Sequence, residues 1–385
     1  MMISRLIKPF LLLFIAIVAI PLQAATLVPA PPQIAARAYI VMDADTGKVI
    51  LASREEERFP PASLTKMMTS YIVEDELTKG NISKSDLVPV SVKAWRSQGS
   101  RMFIQEGTQV LLSDLLKGII IQSGNDASVA VAEYIAGSEA AFADLMNQHA
   151  NLLGMDNSQF MNATGLPADD HFSSARDMAI LARAIIKDFP EHYGIYSEKY
   201  FTYNKIRQPN RNKLLWRDNS VDGLKTGHTE AAGYCLVASA KRDGMRLISV
   251  VMGTKSEEAR AQESQKLLAY AFRYFRTHQL YKEGERLQTT QVWGGKVDQV
   301  DLGPAADLAV TVARGKSDQL QATLDLDNVI EAPLSKGDVF GKVQVKLGDE
   351  LVAEVPVVAL QDVEEAGLLK RIWDKIALFF YNLIN

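Results

Sequence analysis

The chain has 385 residues, of which 47% are hydrophobic and 23% are charged, a composition typical of folded proteins with a sizeable core. This length favours two domains over one. The formal net charge of −4, with no basic tract, argues against nucleic acid as a partner, and the single cysteine excludes an internal disulfide and a multi-cysteine zinc site.

The first residues have the pattern of an export signal. Arg5 and Lys8 precede an unbroken apolar run over residues 10–20, and a pair of alanines follows it. The run is shorter than the ~20 residues that a comfortable membrane span needs. We therefore predict a signal peptide over residues 1–24 and an exported protein, with an uncleaved anchor as the alternative.

The elements predicted after the signal alternate between strands and helices. In chain order they are a hairpin with strands at 38–43 and 48–53, helices from 63 to about 188, strands at 234–240 and 246–253, and a helix over 257–275. Strands on both sides of a helical middle predict an α+β domain with one antiparallel sheet, over residues 25–282.

Ser63 and Lys66 form the only Ser-x-x-Lys sequence of the chain, at the start of a predicted helix. Because residues i and i+3 share a helix face, the lysine amine can reach the serine hydroxyl. Leu64, Met67 and Met68 provide an apolar wall that should desolvate the amine and lower its pKa. Such an amine can act as the base that a nucleophilic serine needs. The alternative for this tetrapeptide alone is an N-cap serine and a solvated lysine.

Two later segments contain polar residues that need either a structural hydrogen-bonding partner or a ligand. Residues 123–125, Ser-Gly-Asn, interrupt an apolar helical pattern, so Ser123 and Asn125 either cap the next helix or face a site. Residues 225–227, Lys-Thr-Gly, precede a predicted strand, and Gly227 would allow an extended ligand to lie alongside it. The alternative is a strand end with a solvated lysine.

Ser-x-x-Lys, Ser-x-Asn and Lys-Thr-Gly in this order resemble the serine penicillin-recognising enzymes. The chain is most similar to the low-molecular-mass penicillin-binding proteins, the D-alanyl-D-alanine carboxypeptidases, over essentially its whole mature length. Stretches that carry the resemblance are 61–69, 122–127, 173–179 and 222–229. The resemblance implies a penicillin-binding/β-lactamase-like catalytic domain, with no cofactor and no metal.

The resemblance also implies a role for each site residue. Ser63 would attack the carbonyl of the penultimate residue of a peptide ending in D-Ala-D-Ala, Lys66 would accept its proton, and Ser123 would pass a proton to the departing amine. The residues implied in substrate binding are Asn125, Lys225, Thr226, Gly227, His228 and Arg260. Backbone N–H groups of Ser63 and His228 would form an oxyanion hole. Lys225, as a second cation, would help to lower the pKa of Lys66.

Three functions remain open at this point. The preferred one is a D,D-carboxypeptidase that acts on peptidoglycan stem peptides and is inhibited by β-lactam antibiotics. A serine β-lactamase is disfavoured, because Ser174 and Asp177 form a helix capping box and nothing local identifies a separate deacylating carboxylate. The third is a membrane-anchored scaffold that binds cell-wall peptide.

From about residue 283 the pattern changes to short alternating apolar runs separated by Gly, Asp and Lys turns. Examples are the runs 308–312, 320–324 and 343–347. They predict a small all-β sandwich of about six strands over residues 283–365. No catalytic constellation is visible in it, so we interpret it as a spacer or protein-contact platform.

Residues 366–385 have the pattern of an amphipathic helix. The apolar face comprises Leu368, Leu369, Ile372, Trp373, Ile376, Phe379, Phe380, Leu383 and Ile384, opposite Lys370, Arg371, Asp374 and Lys375. The charges argue against spanning, and the aromatic face favours a membrane interface. Docking on the same chain or on a homodimer partner is the alternative. Resemblance to the family's C-terminal anchor favours the membrane, on the periplasmic face of the inner membrane.

Overall fold

The computed structural model describes residues 28–384, with side chains to residue 380, so the predicted signal peptide lies outside the described residues. The helices are α1 Lys66–Thr78, α2 Val92–Trp95, α3 Leu112–Lys117, α4 Asn125–Ala136, α5 Glu139–Leu153, α6 Ala175–Asp188, α7 Leu214–Arg217, α8 Glu257–Tyr274 and α9 Leu368–Ile384. The strands are β1 Ala38–Asp43, β2 Val49–Ser53, β3 Leu87–Pro89, β4 Gln109–Leu111, β5 Tyr200–Tyr203, β6 Ile206–Pro209, β7 Val221–Thr229, β8 Gly233–Arg242, β9 Met245–Thr254, β10 Phe275–Tyr281, β11 Gln288–Gln291, β12 Gln299–Pro304, β13 Leu308–Ala313, β14 Leu320–Leu326, β15 Val339–Leu347 and β16 Glu350–Ala359.

The predicted α+β class is confirmed by an antiparallel sheet with the order β2-β1-β9-β8-β7. Successive residues of a strand point to opposite faces, and β8 shows this directly. Val237 packs with the helical core on one face, whereas Leu236 and Ala238 pack with Leu267 of α8 on the other. The helical middle therefore covers one face of the sheet and α8 covers the other.

The strand β7 lies at the edge of this sheet, which leaves its outer side without a strand neighbour. The segment that precedes α1 packs against β7 instead. A Cβ atom on Gly227 would lie 3.0 Å from the Pro61 carbonyl oxygen and 3.3 Å from the Ala62 Cβ. The absence of a side chain at Gly227 is thus what allows this close approach.

The C-terminal part is all-β, as predicted. A sheet with the order β11-β12-β16-β15-β14 lies beside the pair β10-β13, around a core that includes Val300, Val345 and Val357. The strand β10 precedes residue 283 yet pairs with β13. The predicted boundary at residues 282/283 therefore falls after a strand that hydrogen bonds with the all-β part.

A polar cluster joins the two parts. Asp43, at the end of β1, is fully buried and accepts hydrogen bonds from Thr46 Oγ1 at 3.0 Å and from Thr277 Oγ1 of β10 at 2.5 Å. Thr311 Oγ1 of β13 lies 2.8 Å from Thr46 Oγ1 and 3.0 Å from Thr277 Oγ1. Burial strengthens such a network, because each member would be costly to leave unpaired.

The helix α9 docks through its polar face. Lys370 Nζ donates to the Gly295 carbonyl and to Asp298 Oδ1, both at 2.6 Å, and the Gly294 N–H donates to Asp374 Oδ2 at 2.8 Å. The apolar side chains left exposed are Leu368, Leu369, Ile372, Trp373, Ile376, Phe379 and Phe380. The side chains of Leu383 and Ile384 lie outside the described ones. Over residues 28–384, no helix combines the length and the apolar character needed to cross a membrane.

Candidate active site

The proposed nucleophile lies where a short 3₁₀ turn, Ala62–Thr65, leads directly into α1. Ser63 is partly exposed, whereas Lys66 is buried with 1% of its surface accessible. Lys66 Nζ lies 3.3 Å from Ser63 Oγ. The three-residue spacing thus places the amine behind a hydroxyl that a ligand can still reach.

Three oxygen atoms surround the Lys66 amine. Besides Ser63 Oγ, Nζ donates to Asn125 Oδ1 at 2.6 Å and to the Thr164 carbonyl at 2.5 Å. Burial, and after it the positive charge of Arg211, lower the pKa of Lys66 to about 7. A lysine with such a pKa has a substantial neutral fraction near pH 7, which general-base catalysis requires.

Ser123 follows a π-helical turn, Gly118–Gln122, and has a left-handed backbone with φ 66°. This conformation directs a buried hydroxyl toward β7, where Ser123 Oγ accepts a hydrogen bond from Lys225 Nζ at 2.9 Å. The Ser-Gly-Asn segment is a break between two helical stretches, as predicted, and α4 begins at Asn125. Ser123 therefore lies at the cleft rather than in solvent.

The side chain of Asn125 is held by the segment before β4. Asn125 Nδ2 donates to the Gln98 carbonyl at 2.5 Å, and the Asn125 N–H donates to the Ser100 carbonyl at 2.7 Å. These bonds turn the amide oxygen of Asn125 toward Lys66. Residues 98–100 consequently form one wall of the cleft.

The edge strand β7 forms the opposite wall. Lys225 and Thr226 are buried, and Lys225 Nζ also donates to the Thr226 carbonyl at 3.0 Å. Burial lowers the pKa of Lys225 well below its ordinary value, and the charges of Lys66, Arg211 and Arg260 act in the same direction. The cations gathered here favour an anionic ligand.

Arg260 reaches the end of β7 from the first turns of α8. Its Nη1 donates to the Gly227 carbonyl at 3.2 Å, its guanidinium lies 5.6 Å from the Tyr234 ring centre, and only 4% of the residue is exposed. His228 is exposed and stacks on the same ring at 3.9 Å. All nine predicted site residues therefore lie along one cleft between β7, the Ser63 turn and the start of α4.

Sequence reasoning missed the loop that supplies the Thr164 carbonyl. Asn162 Oδ1 accepts hydrogen bonds from the N–H groups of Thr164 and Gly165 at 3.1 and 2.8 Å, which folds the loop into a tight turn. His171 Nε2 lies 2.9 Å from Thr65 Oγ1, in the residue that precedes Lys66. An Asn ahead of a Gly predicts a turn, but not that the turn contacts Lys66.

Arg211 was also missed. It follows β6, is exposed, and belongs to no motif. The sequence pointed to Lys225 as the second cation acting on Lys66. In the structure the charges of Lys66 and Lys225 act on each other, and Arg211 is a further cation that lowers the pKa of Lys66. No local signal could have shown this, because the proximity arises from tertiary packing.

Asp177 has the structural role that the sequence predicted. Its N–H donates to Ser174 Oγ at 3.0 Å, which caps α6. Its carboxylate accepts hydrogen bonds from the Asn157 N–H at 2.8 Å and from Ser158 Oγ at 2.7 Å. The carboxylate is thus committed to holding the chain before α6.

Comparisons with known proteins agree with this geometry. The family model of D-alanyl-D-alanine carboxypeptidase matches residues 25–256, and that of the penicillin-binding protein 5 C-terminal domain matches residues 275–365. The D-alanyl-D-alanine carboxypeptidases DacC and DacA of Escherichia coli are 46% and 44% identical, over 91% and 94% of this chain and 90% and 92% of theirs.

A solved structure gives the same result for the fold. Penicillin-binding protein 5 from Haemophilus influenzae superimposes with a TM-score of 0.81 at 44% identity, covering 88% of this chain and all of that one. The two matched regions cover the sheet and helical middle of the α+β part and the all-β part, and α8 lies between them. The chain therefore belongs to the D-alanyl-D-alanine carboxypeptidase family of low-molecular-mass penicillin-binding proteins.

Proposed function

We propose that this protein is a serine-type D-alanyl-D-alanine carboxypeptidase that removes the terminal D-alanine from peptidoglycan pentapeptide stems. The observation that carries the proposal is the contact of Lys66 Nζ with Ser63 Oγ at 3.3 Å inside a cationic cleft. A base of lowered pKa beside a reachable hydroxyl is the arrangement that acyl transfer through a serine requires.

In the proposed reaction, Ser63 Oγ attacks the carbonyl of the penultimate D-alanine while Lys66 accepts the hydroxyl proton. The backbone N–H groups of Ser63 and His228 stabilise the oxyanion, a contribution typically of about 3 kcal/mol. Ser123 then relays the proton that Lys66 accepted to the departing amine, so both residues return to their starting protonation states. Water hydrolyses the resulting ester and restores Ser63.

The remaining residues bind the substrate. Lys225, Thr226 and Arg260 receive the terminal carboxylate, for which a guanidinium offers parallel donors. Asn125 holds the peptide backbone, and Gly227 lets the Ser63 turn pack against β7, which places Ser63 beside the strand along which the peptide runs. β-Lactams present a carboxylate and a reactive carbonyl to the same groups, so we propose that they acylate Ser63 and inhibit the enzyme.

The first test measures two reactions at Ser63. The mature protein should be stably labelled by a fluorescent penicillin and should release D-alanine from a pentapeptide ending in D-Ala-D-Ala. Ser63→Ala should abolish both, because no other hydroxyl contacts Lys66 Nζ in the described part of the chain. The matched control is Ser97→Ala, which removes a hydroxyl that donates an exposed hydrogen bond to the Lys93 carbonyl. This variant should retain both penicillin labelling and D-alanine release.

The outcomes separate the alternatives. Rapid turnover of the label would favour a β-lactamase, and absence of labelling would favour a binding scaffold. Undiminished D-alanine release by Ser63→Ala would refute the assignment of the nucleophile.

We also propose that α9 binds the periplasmic face of the inner membrane. Its polar face is occupied by the Lys370 and Asp374 contacts, while Trp373 and Phe379 remain 71% and 63% exposed. An outward aromatic and aliphatic face suits the boundary between headgroups and acyl chains. Truncation after Glu365 should release the mature protein from membranes without loss of penicillin labelling. Continued sedimentation of the truncated protein with membranes would contradict this proposal.

A further inference from the structure

Four arginines lie in or beside the segments that flank the cleft. Arg96, Arg101, Arg207 and Arg211, here called the arginine rim, form no direct ion pair with a carboxylate in the part of the chain that the structure describes, and Arg211 interacts with Glu257 only at longer range. Two basic residues that follow Arg211 in the sequence do form ion pairs. Lys213 pairs with Glu257 at 3.1 Å, and Arg217 pairs with Glu258 at 2.6 Å. In a chain of formal net charge −4, this local excess of positive charge stands out.

Exposed aromatic rings accompany three of these guanidinium groups. Arg207 stacks over Tyr200 at 3.8 Å from the ring centre, and Tyr200 is 44% exposed. Arg101 lies 5.4 Å from the centre of the Phe103 ring, which is 42% exposed. Arg96 lies 5.8 Å from the ring of Trp95, which is also exposed. Cation and ring together present a flat apolar surface with hydrogen-bond donors at its edge.

The rim is continuous with the proposed active site. Gln208 Nε2 of β6 donates to the Arg101 carbonyl at 3.2 Å, which joins the β5–β6 hairpin to the segment 98–101. That segment holds Asn125 through the Gln98 carbonyl. The other end of the hairpin leads to Arg211, whose charge acts on Lys66. The segments that carry the rim are therefore connected to those that hold Asn125 and act on Lys66, so a long ligand bound at Ser63 can extend onto the rim.

We infer that the arginine rim binds the extended part of the substrate, an anionic glycan–peptide strand of the cell wall. Guanidinium groups would receive its carboxylates, and the exposed rings would stack on the apolar faces of its sugars. The inference rests on the proposed function, since it places the polymer around a peptide terminus that lies at Ser63. It adds a second binding region that a short peptide does not reach.

The test compares a polymer with a short peptide. The variant Arg96→Gln/Arg207→Gln removes two rim charges and leaves every residue assigned to the cleft unchanged. Binding to lipid-free sacculi, measured by co-sedimentation, and D-alanine release from them should each fall about three- to tenfold at low salt. The differences between variant and wild type in sacculus binding and in D-alanine release should become smaller at high salt, because exposed charges are screened. Release from a soluble tripeptide ending in D-Ala-D-Ala should stay within about twofold.

The matched control is Arg273→Gln/Arg276→Gln, where Arg273 lies in the last turn of α8, at the opposite end from Arg260, and Arg276 follows in β10. Both arginines are exposed, and Arg273 also lies over an aromatic ring, Tyr274, at 5.6 Å. The control has the same net charge as the rim variant and should bind sacculi like the wild type. Equal losses in the two variants would overturn the inference, because binding would then depend on overall charge alone.

Two further outcomes also decide the question. An equal loss on the tripeptide and on sacculi would overturn the inference, since the rim would then act on the cleft itself. Loss of binding to vesicles of anionic phospholipid, with sacculus binding unchanged, would assign the rim to a membrane instead. Inactivity of the wild type on the tripeptide would refute the proposed function, whereas sacculus co-sedimentation would still test the rim independently.

Discussion

Lys66 is the residue whose protonation state sets the rate of the proposed acylation. Its amine must be neutral to accept the Ser63 proton, and burial lowers its pKa to about 7. Below that pH the ammonium form dominates and cannot act as a base. The rate of penicillin labelling should therefore rise as the pH increases through 7 and then level off.

Arg211 offers a way to test this pH dependence. Its positive charge disfavours the ammonium form of Lys66, so Arg211→Gln should raise the pKa of Lys66. The rising limb of the labelling profile should move to higher pH by about half a unit to one unit. Arg211→Lys keeps the positive charge, so the rising limb of its labelling profile should move less than that of Arg211→Gln. A profile of Arg211→Gln that coincides with wild type, or moves to lower pH, would contradict the assigned role of Arg211.

At the scale of elements, the loop around Thr164 positions the lysine. Gly165 has φ +80°, and a Cβ there would lie 1.8 Å from the Ala62 carbonyl oxygen. Gly165→Ala must therefore push the loop away from the Ser63 turn and withdraw the Thr164 carbonyl from Lys66. Labelling should slow by more than about tenfold, a loss of about 1.4 kcal/mol or more in the barrier.

Gly154→Ala is the control for backbone strain in this experiment. Gly154 has φ +74°, and a Cβ there would meet nothing within 4 Å. Both substitutions carry the cost of a left-handed alanine, about 1–2 kcal/mol. Only Gly165→Ala also brings a Cβ atom against the Ala62 carbonyl oxygen. If the two variants label at the same rate, contact between the loop and the Ser63 turn is not what holds Lys66.

The loop around Thr164 is also an example of a feature that the sequence could not predict. The helix that carries Lys66 and the hairpin at β1–β2 were predictable, because local periodicity and turn residues determine them. The motifs around Ser123 and Lys225 could be placed on neighbouring elements by resemblance. The hydrogen bond from Lys66 to the Thr164 carbonyl and the effect of the Arg211 charge on Lys66 could not be predicted, because they depend on packing between segments distant in sequence. The pairing of β10 with β13 was missed for the same reason.

At the scale of the whole molecule, the all-β part connects the cleft to α9. The polar cluster of Asp43, Thr46, Thr277 and Thr311 joins the all-β part to the catalytic part. The hydrogen bonds of Lys370 and Asp374 join the all-β part to α9. If α9 lies on the membrane, these two contacts set the height and direction of the cleft above it.

Thr311→Val tests the first of these contacts. The substitution keeps the side-chain shape and removes the hydroxyl that bonds to both Thr46 and Thr277, whereas Asp43 keeps its own donors. We expect a loss of about 1–2 kcal/mol in the free energy of unfolding. Because the lost bond between Thr46 and Thr311 joins the two parts, thermal unfolding should separate into two transitions, measured by calorimetry, while penicillin labelling at 25 °C stays unchanged.

Thr289→Val makes the same chemical change inside the all-β part. Thr289 Oγ1 donates to Asp301 Oδ1 at 2.5 Å in an exposed position, so its loss should leave a single transition near the wild-type temperature. A single unshifted transition in Thr311→Val as well would show that the cluster does not couple the two parts. The backbone pairing of β10 with β13 would then be left to position the all-β part, and α9 with it, relative to the cleft.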